Sequence, residues 1–204
     1  MSYAKEGSLC YKSAFNKPAG IYPMEDNYGV ESVCLYKDLE SEKVKLENKI
    51  DFNITVKAIQ RDLYAFITLK NNGNKDLFIW MGMKRFSDEV LSGDFFNIVS
   101  AGVRLDYLGV VYNFGRFPES TDDYVALPPG HQIDGAIKLN EYYQFLPGVH
   151  DYDIGTAYVL LTHEPVTGKW FSPDESFTVR SNRVVVQVNG DDIFDKMVKS
   201  YIKK

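Results

Sequence analysis

The sequence holds three histidines, His131, His150 and His163. None has a second His, Cys or carboxylate at ligand spacing on a shared element. His163-Glu164 begins like the helical zinc-protease motif, in which two histidines one turn apart hold the metal and the glutamate acts as base. Here the next ligand position is Thr167, and Pro165 breaks any helix that would carry the pair. Asp151-Tyr152-Asp153 places two carboxylates at i and i+2, as calcium loops do, but lacks the later glycine and bidentate glutamate. Asp122-Asp123 is a paired-carboxylate candidate for acid–base work, with an exposed turn as the simpler reading. There is no Gly-x-Ser-x-Gly elbow, no phosphate-cradling glycine loop and no cysteine beside a base. The expectation is a non-enzyme with no catalytic residues, no metal and no cofactor. An enzyme with an unfamiliar site would need Asp122, Asp123, Asp151 and Asp153 gathered in a cleft with raised pKa values.

What the sequence offers instead is contact chemistry. Residues 108 to 130 exceed an ordinary connection, and long ordered loops commonly carry function. On and beside this stretch Tyr107, Tyr112, Phe114, Arg116, Phe117 and Tyr124 supply the aromatic and guanidinium groups that dominate interface energy. The competing reading has these rings folding back to cap the open end of the domain. A second candidate is the tail, where Asp191 or Asp192 caps a helix with an apolar stripe of Ile193, Phe194, Met197, Val198, Tyr201 and Ile202. That stripe, with Phe194, Met197 and Tyr201 as anchors, either docks on the domain or enters a partner's groove.

The elements that position these groups read as strands. Ile50, Phe52, Ile54, Val56 and Ala58 alternate with Asp51, Asn53, Thr55 and Lys57, giving one inward and one outward face. The runs 63–69 and 77–80 follow across turns at Gln60-Arg61-Asp62 and Asn71-Asn72-Gly73-Asn74. Further strands are expected at 95–99, 103–107, 133–139, 157–161, 170–171, 177–179 and 183–188. Short strands punctuated by Gly, Pro and Asn, without intervening helices, specify an all-β antiparallel sandwich. The organisation expected is an N-terminal extension over 1–49 packing on the domain, a β-sandwich domain over 50–190 and a C-terminal amphipathic helix over 191–204. Within the extension, the charge-dense run 37–47 reads as a solvated face or loop. The sequon Asn53-Ile54-Thr55 reads as a chance occurrence.

Composition limits the partners. A net charge of -5, with no Lys/Arg cluster interleaved with aromatics, argues against nucleic acid. No apolar run reaches the ~18 residues of a membrane span. The N-terminus lacks the apolar core of a signal peptide, which makes cytoplasmic residence the expectation for the chain as given. Cys10 and Cys34 are either unpaired thiols in a reducing compartment or a bridge worth about 3 kcal/mol in the chain-entropy model.

Several short motifs occur in a recognisable order. They are Lys70-Asn71-Asn72-Gly73, Leu77-Phe78-Ile79-Trp80, Leu105-Asp106-Tyr107-Leu108-Gly109 and Gly115-Arg116-Phe117-Pro118. Next come Asp122-Asp123-Tyr124-Val125-Ala126-Leu127-Pro128-Pro129-Gly130 and Leu139-Asn140-Glu141-Tyr142-Tyr143. Gly155-Thr156-Ala157-Tyr158-Val159 and Ser181-Asn182-Arg183-Val184 complete the series. In this order the chain, over about residues 50 to 190, resembles the immunoglobulin-like domain that precedes the catalytic domain in bacterial peptidyl-Lys metalloendopeptidases of the deuterolysin (aspzincin) group. The protease domain itself has no counterpart: no His-Glu-x-x-His occurs, and Tyr158 stands where the group's Gly-Thr-x-Asp motif has Asp. The resemblance implies an immunoglobulin-like, non-catalytic sandwich that can sit against a metallopeptidase. The functional expectation is therefore a protein-binding module, a prodomain-like inhibitor or accessory partner of such a peptidase. The alternative is a self-assembling sandwich that pairs through an edge strand such as Arg183 to Val188.

Overall fold

The computed structural model describes residues 8–13, 32–36, 39–80, 86–87, 90–110 and 116–193, with side chains described for 41–80, 90–110 and 116–193. In chain order the elements are β1 (Ser8–Ser13), β2 (Ser32–Tyr36), helix α1 (Leu39–Asn48), β3 (Ile50–Ile59), β4 (Asp62–Asn71), β5 (Leu77–Trp80), β6 (Phe86–Ser87), β7 (Val90–Leu91) and β8 (Phe96–Ser100). They continue with β9 (Val103–Arg104), β10 (Tyr124–Leu127), β11 (Gln132–Lys138), β12 (Val149–Thr156), β13 (Val159–Thr162), β14 (Ser176–Val179) and β15 (Val184–Asn189). Three main sheets result: six strands in the order β15-β12-β8-β9-β1-β2, four in the order β10-β5-β13-β14, and three in the order β11-β4-β3. A small β6-β7 ribbon lies apart from these. Pairing is antiparallel except where β1 meets β9. The fold is an all-β sandwich.

The two-residue period decides which side chains enter the core. Along β4, Leu63, Ala65, Ile67, Leu69 and Asn71 are buried while their neighbours are not. On β3 the inward row starts with buried Ile50, Phe52 and Ile54. These join Leu77 and Ile79 of β5, Phe96 and Ile98 of β8, and Tyr152 and Ile154 of β12 in a single cluster fed by all three sheets. Trp80 is also buried.

Several buried polar side chains in this core find local partners, which offsets their desolvation. Asn71 is fully buried, and its Nδ2 donates to the carbonyls of Lys75 and Leu127, both at 2.8 Å. Its Oδ1 accepts from Gly73 N–H at 2.9 Å. Tyr143 donates to Asp94 Oδ1 at 3.0 Å, and Asp94 in turn pairs with Arg104. Burial first, and the Asp94 charge second, hold the Tyr143 phenol well above its usual pKa. Tyr152 is fully buried near the start of β12, and its hydroxyl accepts from Leu146 N–H, six residues upstream, at 2.9 Å. A buried tyrosine hydroxyl bonded back to upstream backbone is also a feature of tyrosine corners.

The structure departs from the sequence expectations at several points, including the long loop expected over 108–130, of which Tyr124–Leu127 form β10. The charged run expected as loop or solvated face contains α1, whose Ser41 Oγ accepts from Arg180 N–H at 2.8 Å. An exposed Lys43–Glu47 pair lies on its outer face, while the largely covered Lys45 pairs with exposed Glu42 at 2.6 Å. Residues 8–13 and 32–36 enter the six-stranded sheet as strands. β12, absent from the expected strands, lies inside that sheet between β15 and β8, because its alternation is carried by Tyr152 and Ile154 among carboxylates. The expected strand 103–107 shrinks to β9, with Tyr107 making only an isolated bridge to Tyr143, and Trp170-Phe171 lie in a loop. Of the expected C-terminal helix, residues 191–193 form a turn and 194–204 lie outside the described residues.

The register of β1 against β2 sets Cys10 opposite Cys34. Directly opposed residues of an antiparallel ladder have Cα atoms about 4.5–5.5 Å apart, within the span of a disulfide. After air oxidation, both thiols are expected to resist iodoacetamide until a reductant is added. Full labelling of oxidised protein without reductant would contradict this.

Candidate protein-binding surface

The most prominent exposed aromatic feature among the described residues is built where three segments meet. β5 ends at Trp80, the 116–118 segment leads toward β10, and the β13–β14 connection carries Trp170 and Phe171. Thr167-Gly168 turns this connection, with Gly168 at φ +73°, a left-handed conformation that costs a glycine nothing. Gly168 N–H donates to Pro118 C=O at 2.8 Å and ties the two loops together.

The rings pack edge to face. Trp170 meets Trp80 at 5.8 Å with planes at 75°, and Phe117 at 6.2 Å with planes at 87°. Phe171 touches Trp80 at 5.8 Å and Tyr124 at 6.4 Å. Such pairs contribute beyond their buried area. Tyr124 anchors the base, its hydroxyl donating to Val166 C=O and accepting from Val166 N–H at 3.0 Å. Above this buried base, Trp170 remains 56% exposed and Phe117 37% exposed. The result is a braced indole facing solvent.

Charged groups stiffen both flanks. Glu175 accepts from Lys169 Nζ at 2.6 Å, from Ser172 Oγ at 2.7 Å and from Ser172 N–H at 3.1 Å. Lys169 first, then Ser172, lower the Glu175 pKa to about 2 from the ordinary 4.5. Because the folded value is depressed, this contact contributes fully above about pH 4.5 and is lost as pH falls toward 2. A carboxyl NMR titration should find Glu175 still ionised at pH 3.5, and a midpoint near 4.5 would show that the pin is not formed. On the other flank, Asp123 accepts from Glu119 N–H at 2.8 Å and Ser120 N–H at 3.1 Å. These backbone bonds, helped by Arg116, lower its pKa. Arg116 pairs with Glu119 at 3.3 Å and Asp123 at 3.4 Å.

The structure sorts the expected contact residues. Phe117 and Arg116 reach the surface just described, while Tyr124 is buried on β10 as its support. Tyr107 is half-buried, stacks on Tyr142 at 6.0 Å and donates to Leu91 C=O at 2.9 Å. Gly109 lies so close to this pair that a Cβ there would strike the Tyr107 hydroxyl and the Tyr142 ring. Tyr107 is thus a packing residue. Tyr112, Phe114, Phe194, Met197 and Tyr201 lie outside the described residues. Trp170 and Phe171 belong to this aromatic corner and were not singled out by the sequence expectations; the available signal was a tryptophan placed just past a Thr-Gly turn.

The carboxylates considered for catalysis sit in different settings. Asp123 bonds to backbone and Arg116, Asp151 accepts from Gln187 at 3.2 Å, and Asp153 accepts from Arg183 Nε at 2.8 Å. The backbone bonds to Asp123 lower its pKa, opposite to what a general acid needs. The histidines have separate partners: His131 faces Pro129 C=O, His150 faces Pro147 C=O and His163 faces Asn48 Oδ1. Among the described residues no group of three or more His, Cys, Asp or Glu could hold a metal ion, and no helix is long and apolar enough to cross a membrane. No protein-family model matches the chain, and a search of curated proteins finds no match either.

Proposed function

We propose that this chain is a non-catalytic protein-binding module whose contact surface is the corner of Trp170, Phe117 and Arg116. The observation that carries the reading is the exposure of Trp170 on a base of buried rings. A preorganised aromatic loses little entropy on association, and Trp and Arg are the residue types whose truncation costs most at interfaces. The partner class suggested by the sequence resemblance is a metallopeptidase, with this chain as prodomain-like inhibitor or accessory subunit. The backbone-bonded Tyr152 hydroxyl, a feature shared with tyrosine corners, supports the immunoglobulin-like part of that resemblance.

Parallel pull-downs with wild type and Trp170→Ala, read by mass spectrometry, test the proposal. A partner should be retained by wild type and lost by the variant, with a loss of about 2 kcal/mol or more. Equal recovery by both would remove Trp170 from the interface. A second reading, self-association, has its own support: β15 is an edge of the six-stranded sheet and carries Val185 at 72% exposure. Light scattering across a concentration series separates the two.

A further inference from the structure

The inward row of β3 loses its cover partway along the strand. Ile50, Phe52 and Ile54 are buried, Val56 is half-buried and Ala58 is exposed, although period-two geometry turns all five to the same side. β3 is also an edge, paired among the described residues with β4 alone.

Two side-chain amides fix which backbone groups of this edge face outward. Ile54 N–H donates to Asn182 Oδ1 at 2.7 Å and Ile54 C=O accepts from Asn182 Nδ2 at 3.2 Å, so both groups of Ile54 point away from β4. Further along, Leu63 lies opposite Ala58, and its N–H donates to Asn140 Oδ1 at 2.9 Å, next to β11 and away from β3. Opposed residues of an antiparallel ladder alternate between pairs that exchange both bonds and pairs that exchange none. The Ile54–Ile67 and Ala58–Leu63 pairs are of the second kind, and so is Val56–Ala65 between them. The N–H and C=O of Val56 and Ala58 therefore point off the edge of the sheet.

That edge borders a groove. Past the Asn182 clip, β3 and the edge strand β15 flank a space of about 470 Å³, whose lining includes Val56, Ala58, Leu63, Val186 and Val188. The groove combines an apolar lining with a row of alternating partial charges, positive at each N–H and negative at each C=O. A second extended backbone matches that row in sign and spacing, whereas a helix spends its backbone groups internally. At Ile54 the Asn182 amide already stands where a neighbouring strand would place a peptide group.

We propose that the open end of β3 receives an extended segment of a partner protein as an added strand. Main-chain bonds to Val56 and Ala58 hold the segment, and alternate small or branched apolar side chains turn into the groove toward Leu63 and Val188. From Val56 to Gln60 the edge spans about 13 Å, room for about four extended residues. This site is separate from the Trp170 corner and does not depend on it.

The test is amide hydrogen exchange by NMR on the full chain, with a short capped peptide of alternating valine and threonine as the probe. In the free protein, Val56 and Ala58 amides should exchange at least about tenfold faster than those of Thr55 and Lys57, which bond to β4. Millimolar peptide should slow Val56 and Ala58 by about tenfold or more, and the same peptide methylated at every nitrogen should not. No protection by the peptide, or equal protection by the methylated copy, would overturn the added strand. Val56 and Ala58 amides already as slow as Lys57 in the free protein would overturn it too: at all concentrations the chain itself fills the groove, and only at high concentration a second copy does.

Discussion

Replacing Asn71 by leucine is expected to destabilise the fold by about 3–5 kcal/mol, because three backbone groups, the buried Leu127 C=O among them, lose the same amide partner together. The Asn71 side chain closes the 71–75 turn through Gly73 N–H and Lys75 C=O, and reaches Leu127 C=O at the end of β10. Its own backbone accepts from Gly130 N–H at 2.7 Å and donates to His131 C=O at 3.0 Å, so β4, β10 and the Pro128-Pro129-Gly130 turn meet at one residue. Leucine has the same branching of heavy atoms but satisfies none of the side-chain bonds. The neighbouring Asn72 bonds Asp51 in an exposed position, and Asn72→Ala should change stability by no more than about 0.5 kcal/mol. Urea unfolding of the two variants checks the contrast. A midpoint unchanged in Asn71→Leu would show that the turn is not built on this amide.

Phe52→Ala should cost about 3–5 kcal/mol, the range for deleting a buried ring that neighbouring side chains cannot replace. Phe52 is 1% exposed and belongs to the cluster shared by the three sheets. The informative quantity is the gradient along β3. Ile54→Ala should cost about 2–5 kcal/mol and half-buried Val56→Ala about 1 kcal/mol or less, since the removed methyls there leave no sealed cavity. A flat series would mean that β3 is buried evenly and that its open end does not exist.

Much of this architecture is legible in the sequence where one physical signal dominates. β3, β4 and β5 follow from strict alternation bounded by turn residues, and β15 from a run of β-branched residues. β12 escapes because Asp151 and Asp153 on its outer face look like a ligand pair, while the inner-face signal rests on Tyr152 and Ile154. α1 escapes because the covered residues of its central part are Ser41, Val44 and Lys45, leaving no apolar stripe to announce a helix. The contact surface was half legible. Phe117 and Arg116 stand out in a long segment by residue type, but their meeting with Trp170 depends on the Gly168–Pro118 bond between segments about fifty residues apart in the chain, which no local pattern encodes. Tyr107 and Tyr124, read from the sequence as surface anchors, bond their hydroxyls to Leu91 and Val166, with Tyr107 half-buried and Tyr124 buried.

The central claim is that the Trp170 indole is the anchor of a protein interface. The chain has two tryptophans, and Trp80→Phe leaves Trp170 as the sole indole reporter. Acrylamide quenching of Trp170 in this variant, alone and with the captured partner, is the direct measurement. Free protein should quench strongly, in keeping with an exposed ring, and the complex should show a blue-shifted emission with quenching reduced by at least about half, as expected for a desolvated hot-spot residue. Quenching that is identical in the free and bound states would contradict the assignment of this surface.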